Sequence, residues 1–204
     1  MMLNQPTMSG LTVVVWLGAI LAGFAKWERY DHTPGPDPVA EVDLAVASSP
    51  CEVVMFLHPQ CPCSRASLGE LIRLVSFFPG RTQSLPVIRV VMVLPDGVGE
   101  DWEHSSLCDL TSSFRDLMVG HDRGGRAART AGVVTSGHVI VRDAEGGVVF
   151  SGGITPARGR SGLSPGASAL RAILDGEPVS GKFPVYGCPL FDSDVNAAGE
   201  QPCH

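Results

Sequence analysis

The sequence predicts an α/β domain in which helices pack on a central mixed β-sheet, preceded by an apolar N-terminal helix. Short apolar runs rich in β-branched residues alternate with segments whose apolar residues recur at helical spacing, and this alternation is typical of layered α/β domains. A Gly-rich turn between two late apolar runs predicts an antiparallel hairpin in the same sheet. The 204 residues suffice for one such domain with tails.

The predicted elements follow from these patterns in chain order. The predicted strands are Val53 to Leu57, Val87 to Leu94, Leu117 to Val119, Val139 to Asp143 and Val148 to Ser151. The first predicted helix carries an apolar stripe of Leu68, Leu71, Ile72 and Val75 and ends near Pro79 and Gly80. A partly helical segment is predicted from Asp101 to Asp116. A short helix from Arg123 to Ala131 and a final helix from Ala167 to Leu174 complete the set.

Residues 1–30 are predicted to form a membrane anchor or a signal segment. No charged side chain occurs from Met1 to Ala25, and the apolar run has about the minimum length of a membrane span. Trp27 and Tyr30 are residue types typical of the membrane interface. Lys26 and Arg29 follow the apolar run, although the positive-inside rule favours basic residues before it in an exported domain. We expect a domain anchored on the extracytoplasmic (periplasmic) side, or secreted if the segment is cleaved.

The rest of the chain divides into three parts. Residues 31–43 are predicted to be a proline-rich, semi-rigid linker, residues 44–178 the folded domain, and residues 179–204 a cysteine-containing tail. The net charge of −6, without a basic and aromatic surface pattern, gives no reason to expect nucleic-acid binding.

Two cysteines lie where the first strand gives way to a helix, in the stretch HPQCPCS from His58 to Ser64. A helix N-terminus offers unpaired N–H groups and the positive end of a dipole. A thiol at that place has a lowered pKa and is a stronger nucleophile at neutral pH. We therefore expect Cys61 to be a reactive thiolate, with Pro62 in the first helical turn and His58 adding positive charge when it is protonated.

This motif and the stretch from His121 to Thr155 together resemble the thioredoxin-fold superfamily, in its branch of membrane-tethered thiol–disulfide proteins and peroxiredoxin-like relatives, which includes RedB-type bacterial thioredoxin-like proteins. The resemblance covers roughly Cys51 to Leu174. The residues that fit the family's aspartate-led turn, short helix and closing hairpin are Asp122, Gly132, Val133, Asp143, Gly147 and Gly153. The resemblance implies a thioredoxin-like three-layer fold and thiol–disulfide oxidoreductase activity, which requires no cofactor and uses protein or small-molecule thiols and disulfides as partners.

The cysteine motif differs from that of the family. Cys61 matches the first cysteine of the family's Cys-x-x-Cys, but the fourth position is Ser64 and the second thiol is Cys63. Gln60 stands where the family usually has an aromatic residue. A disulfide between Cys61 and Cys63 would close a very small, strained ring, which predicts an easily discharged oxidant.

A second difference concerns the loop that faces the thiols in the family. Its cis-proline aligns with Gly137, and Ser136 and His138 flank that glycine. The resemblance therefore implies that these three residues form the wall opposite Cys61 and Cys63.

The remaining cysteines are candidate resolving, structural or core thiols. Cys108 and Cys188 are candidate resolving thiols for Cys61. A structural disulfide between Cys188 and Cys203, fixing the tail, is the preferred interpretation of that pair. Cys51 begins a buried strand and is interpreted as an inert core thiol.

Two alternative functions remain open at this point. Cys61 and Cys63 with His58 and His138 are soft thiolate and imidazole ligands that suit Cu(I) or zinc, and copper-delivery proteins of this fold use two cysteines and a histidine from the same region. Gly137 would leave room for the metal where a proline would shield the thiols. The other alternative is a non-catalytic thioredoxin-fold module that binds a partner through the same groove.

Overall fold

A mixed six-stranded β-sheet with helices, preceded by an apolar helix, forms over the described part of the chain. The computed structural model describes residues 5–36, 44, 50–76, 86–98, 102, 107, 110–111, 114 and 117–191. The predicted end of a helix at Pro79 and Gly80 and most of the predicted helical segment from Asp101 to Asp116 lie outside these ranges.

The elements have the following bounds. The helices are α1 (Gln5–Asp31), α2 (Pro62–Ser76), α3 (Arg126–Thr130) and α4 (Pro165–Leu174). The strands are β1 (Pro50–Leu57), β2 (Val87–Leu94), β3 (Leu117–Arg123), β4 (His138–Asp143), β5 (Val148–Gly152) and β6 (Gly181–Phe183). All five predicted strands are present, and β6, which pairs with β5, was not predicted.

The predicted start of the short helix at Arg123 is wrong, because β3 continues through this residue and α3 begins three residues later. The reason is the side chain of Asp122. Its carboxylate accepts hydrogen bonds from the backbone N–H groups of Ala127 (3.0 Å) and Ala128 (2.9 Å). A carboxylate that satisfies these otherwise unpaired donors fixes where the helix starts.

The strand order is β3-β2-β1-β4-β5-β6, which places β1 in the interior of the sheet. β1 pairs in parallel with β2 and antiparallel with β4. Because of the antiparallel pairing, Phe56 near the end of β1 lies opposite His138 at the start of β4. The backbone N–H of Gly137 donates to the carbonyl of Phe56 at 2.8 Å. The turn after β1 and the loop before β4 are therefore neighbours.

Both faces of β1 are buried against other elements. Val53, Met55 and Leu57 belong to a core cluster that includes the apolar faces of α2 and α4. Val54 and Phe56 belong to a second cluster, with residues of α3 and the chain that follows β6. Each fully buried side chain of this kind contributes about 1.5–3 kcal/mol to folding, so the end of β1 is firmly held.

The N-terminal helix has the length and composition to span a membrane. Within the 22 residues of Gly10–Asp31, an 18-residue window reaches a mean hydropathy of 1.6, and most of the large apolar side chains of this stretch are exposed. Its C-terminal end contacts the folded domain. Asp31 is only 6% exposed, accepts a hydrogen bond from Arg160 at 2.9 Å, and its carbonyl accepts one from the N–H of Arg158 at 2.9 Å.

Candidate functional site

Cys61 lies at the N-terminus of α2, as predicted. Its N–H donates to the carbonyl of His58 at 3.2 Å, which closes the turn after β1. Its own carbonyl accepts from the N–H of Ser64 at 3.0 Å, and Pro62 is the first residue of α2. The helix N-terminus therefore directs its unpaired donors and its positive dipole end towards this thiol.

Three thiols converge at this point of the structure. The sulfur atoms of Cys61, Cys63 and Cys188 all lie within 4.8 Å of one another, and the Sγ atoms of Cys61 and Cys188 are 2.6 Å apart. Cys61 and Cys63 are buried, whereas Cys188 is partly exposed. The residue whose sulfur contacts that of Cys61 thus lies 127 positions later in the chain.

The hydrogen bonds among these thiols determine which of them is ionised. Hydrogen bonding with Cys188 and then with Cys63 holds the pKa of Cys61 far below its ordinary value, against the opposing effect of burial. For Cys63, a hydrogen bond with Cys188 acts to lower the pKa, but the bond to Cys61, burial and the charge on Cys61 raise it to about 11. Hydrogen bonds to Cys61 and Cys63 and burial likewise raise the pKa of Cys188. These directions favour Cys61 as the first of the three thiols to ionise.

Backbone pairing brings Cys188 into the cluster. The segment after β6 runs antiparallel to the loop before β4. The N–H of Ser136 donates to the carbonyl of Cys188, and the N–H of Leu190 donates to the carbonyl of Val134, both at 2.9 Å. The side chain of Leu190 is buried in the second core cluster. This apolar anchor and the two backbone bonds hold the third thiol in place.

Gly187 and Arg158 fix the tail from two sides. A Cβ atom on Gly187 would lie 1.9 Å from the carbonyl oxygen of Ser136, so the close approach of the two segments requires glycine. The guanidinium of Arg158 donates to the carbonyl of Gly187 and, at 3.2 Å, to that of Thr33. One arginine therefore connects the residue before Cys188 to the segment that follows α1.

A closed ring of hydrogen bonds supports the turn that carries Cys61. The hydroxyl of Ser64 donates to the carbonyl of His58 at 2.7 Å, and the N–H of His58 donates to the hydroxyl of Ser136 at 2.9 Å. The hydroxyls of Ser64 and Ser136 are 2.8 Å apart, and Ser136 must be the donor because the proton of Ser64 is already used. Ser64 is thus a structural residue that joins α2 to the loop before β4.

Replacing Ser136 with alanine should destabilise the protein by about 1–3 kcal/mol, because the part-buried N–H of His58 and the buried hydroxyl of Ser64 each lose a partner. Urea unfolding of the purified protein measures this change as a lower midpoint with an unchanged slope. The matched control is Ser168→Ala on the exposed face of α4, which should change stability by less than about 0.5 kcal/mol. Equal stability of the two variants would contradict the hydrogen-bonded ring.

The other predicted site residues contact side chains other than the thiols. His138 is buried, its Nε2 lies 2.8 Å from the hydroxyl of Ser151, and burial lowers its pKa to about 4, so the ring is neutral at pH 7. The imidazole of His58 meets the ring of Trp102 edge-on, with centroids 5.2 Å apart. Gly137 has φ +90°, and a Cβ there would lie 2.6 Å from the hydroxyl oxygen of Ser67. Gly137 thus allows α2 to pack closely against the loop before β4.

The metal-ligating side chains that come together also differ from the predicted set. Among the described residues, the group at this site contains three cysteines and neither His58 nor His138. Cys188, predicted as a resolving or a structural thiol, is its third member. Cys108 and Cys203 lie outside the described residues, as does the predicted disulfide between Cys188 and Cys203. The sequence signal for Cys188 was its flanking Gly and Pro. These residues indicate a tight backbone turn but not which thiol Cys188 contacts.

No protein-family model and no curated protein sequence matches the chain. Solved structures do resemble it. An uncharacterized conserved protein from Geobacillus kaustophilus is 18% identical, with a TM-score of 0.56 over 80% of this chain and 94% of the other. A hypothetical protein from Sinorhizobium meliloti 1021 is also 18% identical, with a TM-score of 0.51 over 78% and 93%. At 18% sequence identity these two structures show a similar fold and nothing about activity.

Proposed function

We propose that this protein is a thiol–disulfide oxidoreductase in which Cys61 is the attacking thiolate and Cys188 the resolving thiol. The observation that carries the proposal is the 2.6 Å separation of their sulfur atoms, at a helix N-terminus that stabilises the thiolate. The resolving thiol must reach the sulfur of Cys61 after the first exchange, and the paired tail keeps it there. Cys63 is close enough to assist but is not required for this pair.

The reaction proceeds in two exchanges. The Cys61 thiolate attacks one sulfur of a substrate disulfide, a mixed disulfide forms, and the other substrate sulfur leaves as a thiolate that takes up a proton. Cys188 then loses its proton and attacks the sulfur of Cys61 in the mixed disulfide, which releases the second substrate thiol. The site becomes a Cys61–Cys188 disulfide, and two electrons have passed to the substrate. The same steps in reverse oxidise a substrate dithiol.

The fold and the N-terminal helix support a thioredoxin-like domain that is anchored to a membrane. Helices lie against both core clusters of a mixed sheet, and a strand leads directly into the helix that carries the thiols. These features favour the thioredoxin-like three-layer arrangement that the sequence resemblance implies. A helix of membrane-spanning length fixed to the domain favours an anchored protein. We propose that the domain lies outside the cytoplasm, where disulfides persist.

A redox titration tests the proposal. The reduced full-length protein, in detergent, is equilibrated anaerobically with a glutathione redox series, free thiols are alkylated, and disulfides are mapped by peptide mass. We expect a Cys61–Cys188 disulfide that forms and breaks reversibly. A Cys188–Cys203 disulfide, with Cys61 always free, would contradict the proposal and favour a non-catalytic module.

A further inference from the structure

Cys63 is a buried nucleophile that the proposed exchange does not need. Disulfide exchange requires two thiols, and Cys61 and Cys188 already lie in contact. Cys63 is nevertheless 9% exposed, with its sulfur within 4.8 Å of both. We infer that the reduced Cys61, Cys63 and Cys188 form a three-sulfur binding site for one soft monovalent metal ion of the Cu(I) type.

The donor set determines the kind of ion. All three ligand atoms are sulfur, and over the described residues no imidazole or carboxylate belongs to the group. Thiolates are soft ligands that select Cu(I) over harder cations such as magnesium or calcium. Structural zinc sites take four ligands in a tetrahedron, and this group supplies three. A d¹⁰ monovalent ion, which is satisfied by three sulfurs, fits the group better than zinc.

The protein holds the three donors before any ion arrives. Cys61 and Cys63 are fixed by the start of α2, and Cys188 is fixed by its backbone bond to Ser136. Ligands that the fold already gathers cost less free energy to order on binding, and the sulfurs of Cys61 and Cys188, 2.6 Å apart, need only separate to admit the ion. Arg158 is close enough to Cys63 to favour negative charge on that sulfur. Its guanidinium would offset part of the negative charge of a complex in which thiolates outnumber the charge of the ion.

Metal binding and disulfide exchange exclude each other at this site. Cu(I) binding replaces the protons of the thiols that ionise, and these protons pass to the solvent; no electron is transferred, so the ion stays Cu(I). A disulfide between Cys61 and Cys188 removes two of the three thiolate donors. The reduced protein should therefore bind the ion and the oxidised protein should not. Because Cys63 is a ligand but not a member of the disulfide, its replacement should weaken metal binding without preventing disulfide exchange.

The test compares Cys63→Ser with the unchanged chain, both full length, reduced, in detergent and free of oxygen. Cu(I) is titrated against a chromophoric chelator, zinc is titrated in parallel, and X-ray absorption counts the sulfur ligands. We expect one Cu(I) per chain, three sulfur ligands and weaker binding of zinc. Cys63→Ser should lose affinity by more than about 100-fold, because loss of a residue that merely orients a ligand already costs about 10–100-fold.

The matched control is Cys51→Ser. The backbone of Cys51 lies at the other end of β1, seven residues and about 20 Å from His58. The Cys51→Ser variant should therefore bind Cu(I) with unchanged affinity. The Cys61–Cys188 disulfide should still form in Cys63→Ser, since that pair remains.

The outcomes separate the two proposals. Unchanged Cu(I) affinity in Cys63→Ser, or two sulfur ligands in the unchanged chain, would overturn the metal site and leave the exchange reaction standing. Three sulfur ligands in a protein that forms no Cys61–Cys188 disulfide would support the metal site and remove the exchange reaction. The ligand count does not depend on the folding of any variant.

Discussion

Replacement of Cys61 by serine should abolish disulfide exchange, whereas replacement of Cys188 by alanine should stop the reaction halfway. Without Cys61 there is no thiolate at the start of α2, and the loss of a catalytic nucleophile lowers the rate by on the order of 1,000-fold or more. Without Cys188 the first exchange still occurs, but its product is not resolved. Incubation with a disulfide-bonded peptide followed by mass analysis should show a mixed disulfide on Cys61 in Cys188→Ala and none in Cys61→Ser.

The pH dependence of Cys61 gives an independent check of the same pair. Because the pKa of Cys61 is held far below its ordinary value, its alkylation rate should stay nearly constant between about pH 5 and pH 8. An ordinary thiol with a pKa of about 8.5 reacts roughly tenfold faster for each pH unit in this range. The hydrogen bond between Cys61 and Cys188 is the largest cause of the lowered pKa. In Cys188→Ala the pKa should therefore rise and the rate should become pH-dependent. Protein unfolded in urea provides the reference thiol, and a steep profile in the unchanged chain would contradict the assignment.

Replacement of Gly187 by alanine should separate Cys188 from Cys61 without removing a thiol. The added Cβ would lie 1.9 Å from the carbonyl oxygen of Ser136, and real Cβ atoms essentially never approach closer than 3.0 Å. That oxygen is backbone, so the tail must move away by about an ångström or more, which is enough to break a contact between two sulfurs. The expected result is a much lower yield of the Cys61–Cys188 disulfide in the glutathione series.

Gly69→Ala is the matched control for this experiment. Gly69 lies within α2, and nothing lies within 4 Å of the position of an added Cβ. Alanine there should raise stability by up to about 1 kcal/mol, because glycine is a poor helix former. The disulfide yield should be unchanged. An equal yield in Gly187→Ala and Gly69→Ala would show that the pairing does not depend on the tail.

The local elements of the fold are predictable from the sequence because their signals are local. The β-branched run from Val87 to Leu94 and the stripe of apolar residues in α2 have the periods of a strand and a helix, and both are present. β6 was missed because Gly181–Phe183 is a three-residue strand, too short to show a period. Its pairing with β5 comes from tertiary contacts.

The sequence by itself determined that a thiol, Cys61, stands at the start of a helix that follows a buried strand, since strand, thiol and helix are adjacent in the chain. The tertiary structure alone decided that Cys188 is its neighbour and that His138 instead pairs with Ser151. The physical reason is that the contact of Cys188 depends on backbone hydrogen bonds and on the buried side chain of Leu190. Backbone hydrogen bonds are available to almost any residue, so their partners are chosen by the packing of the whole domain rather than by a local pattern.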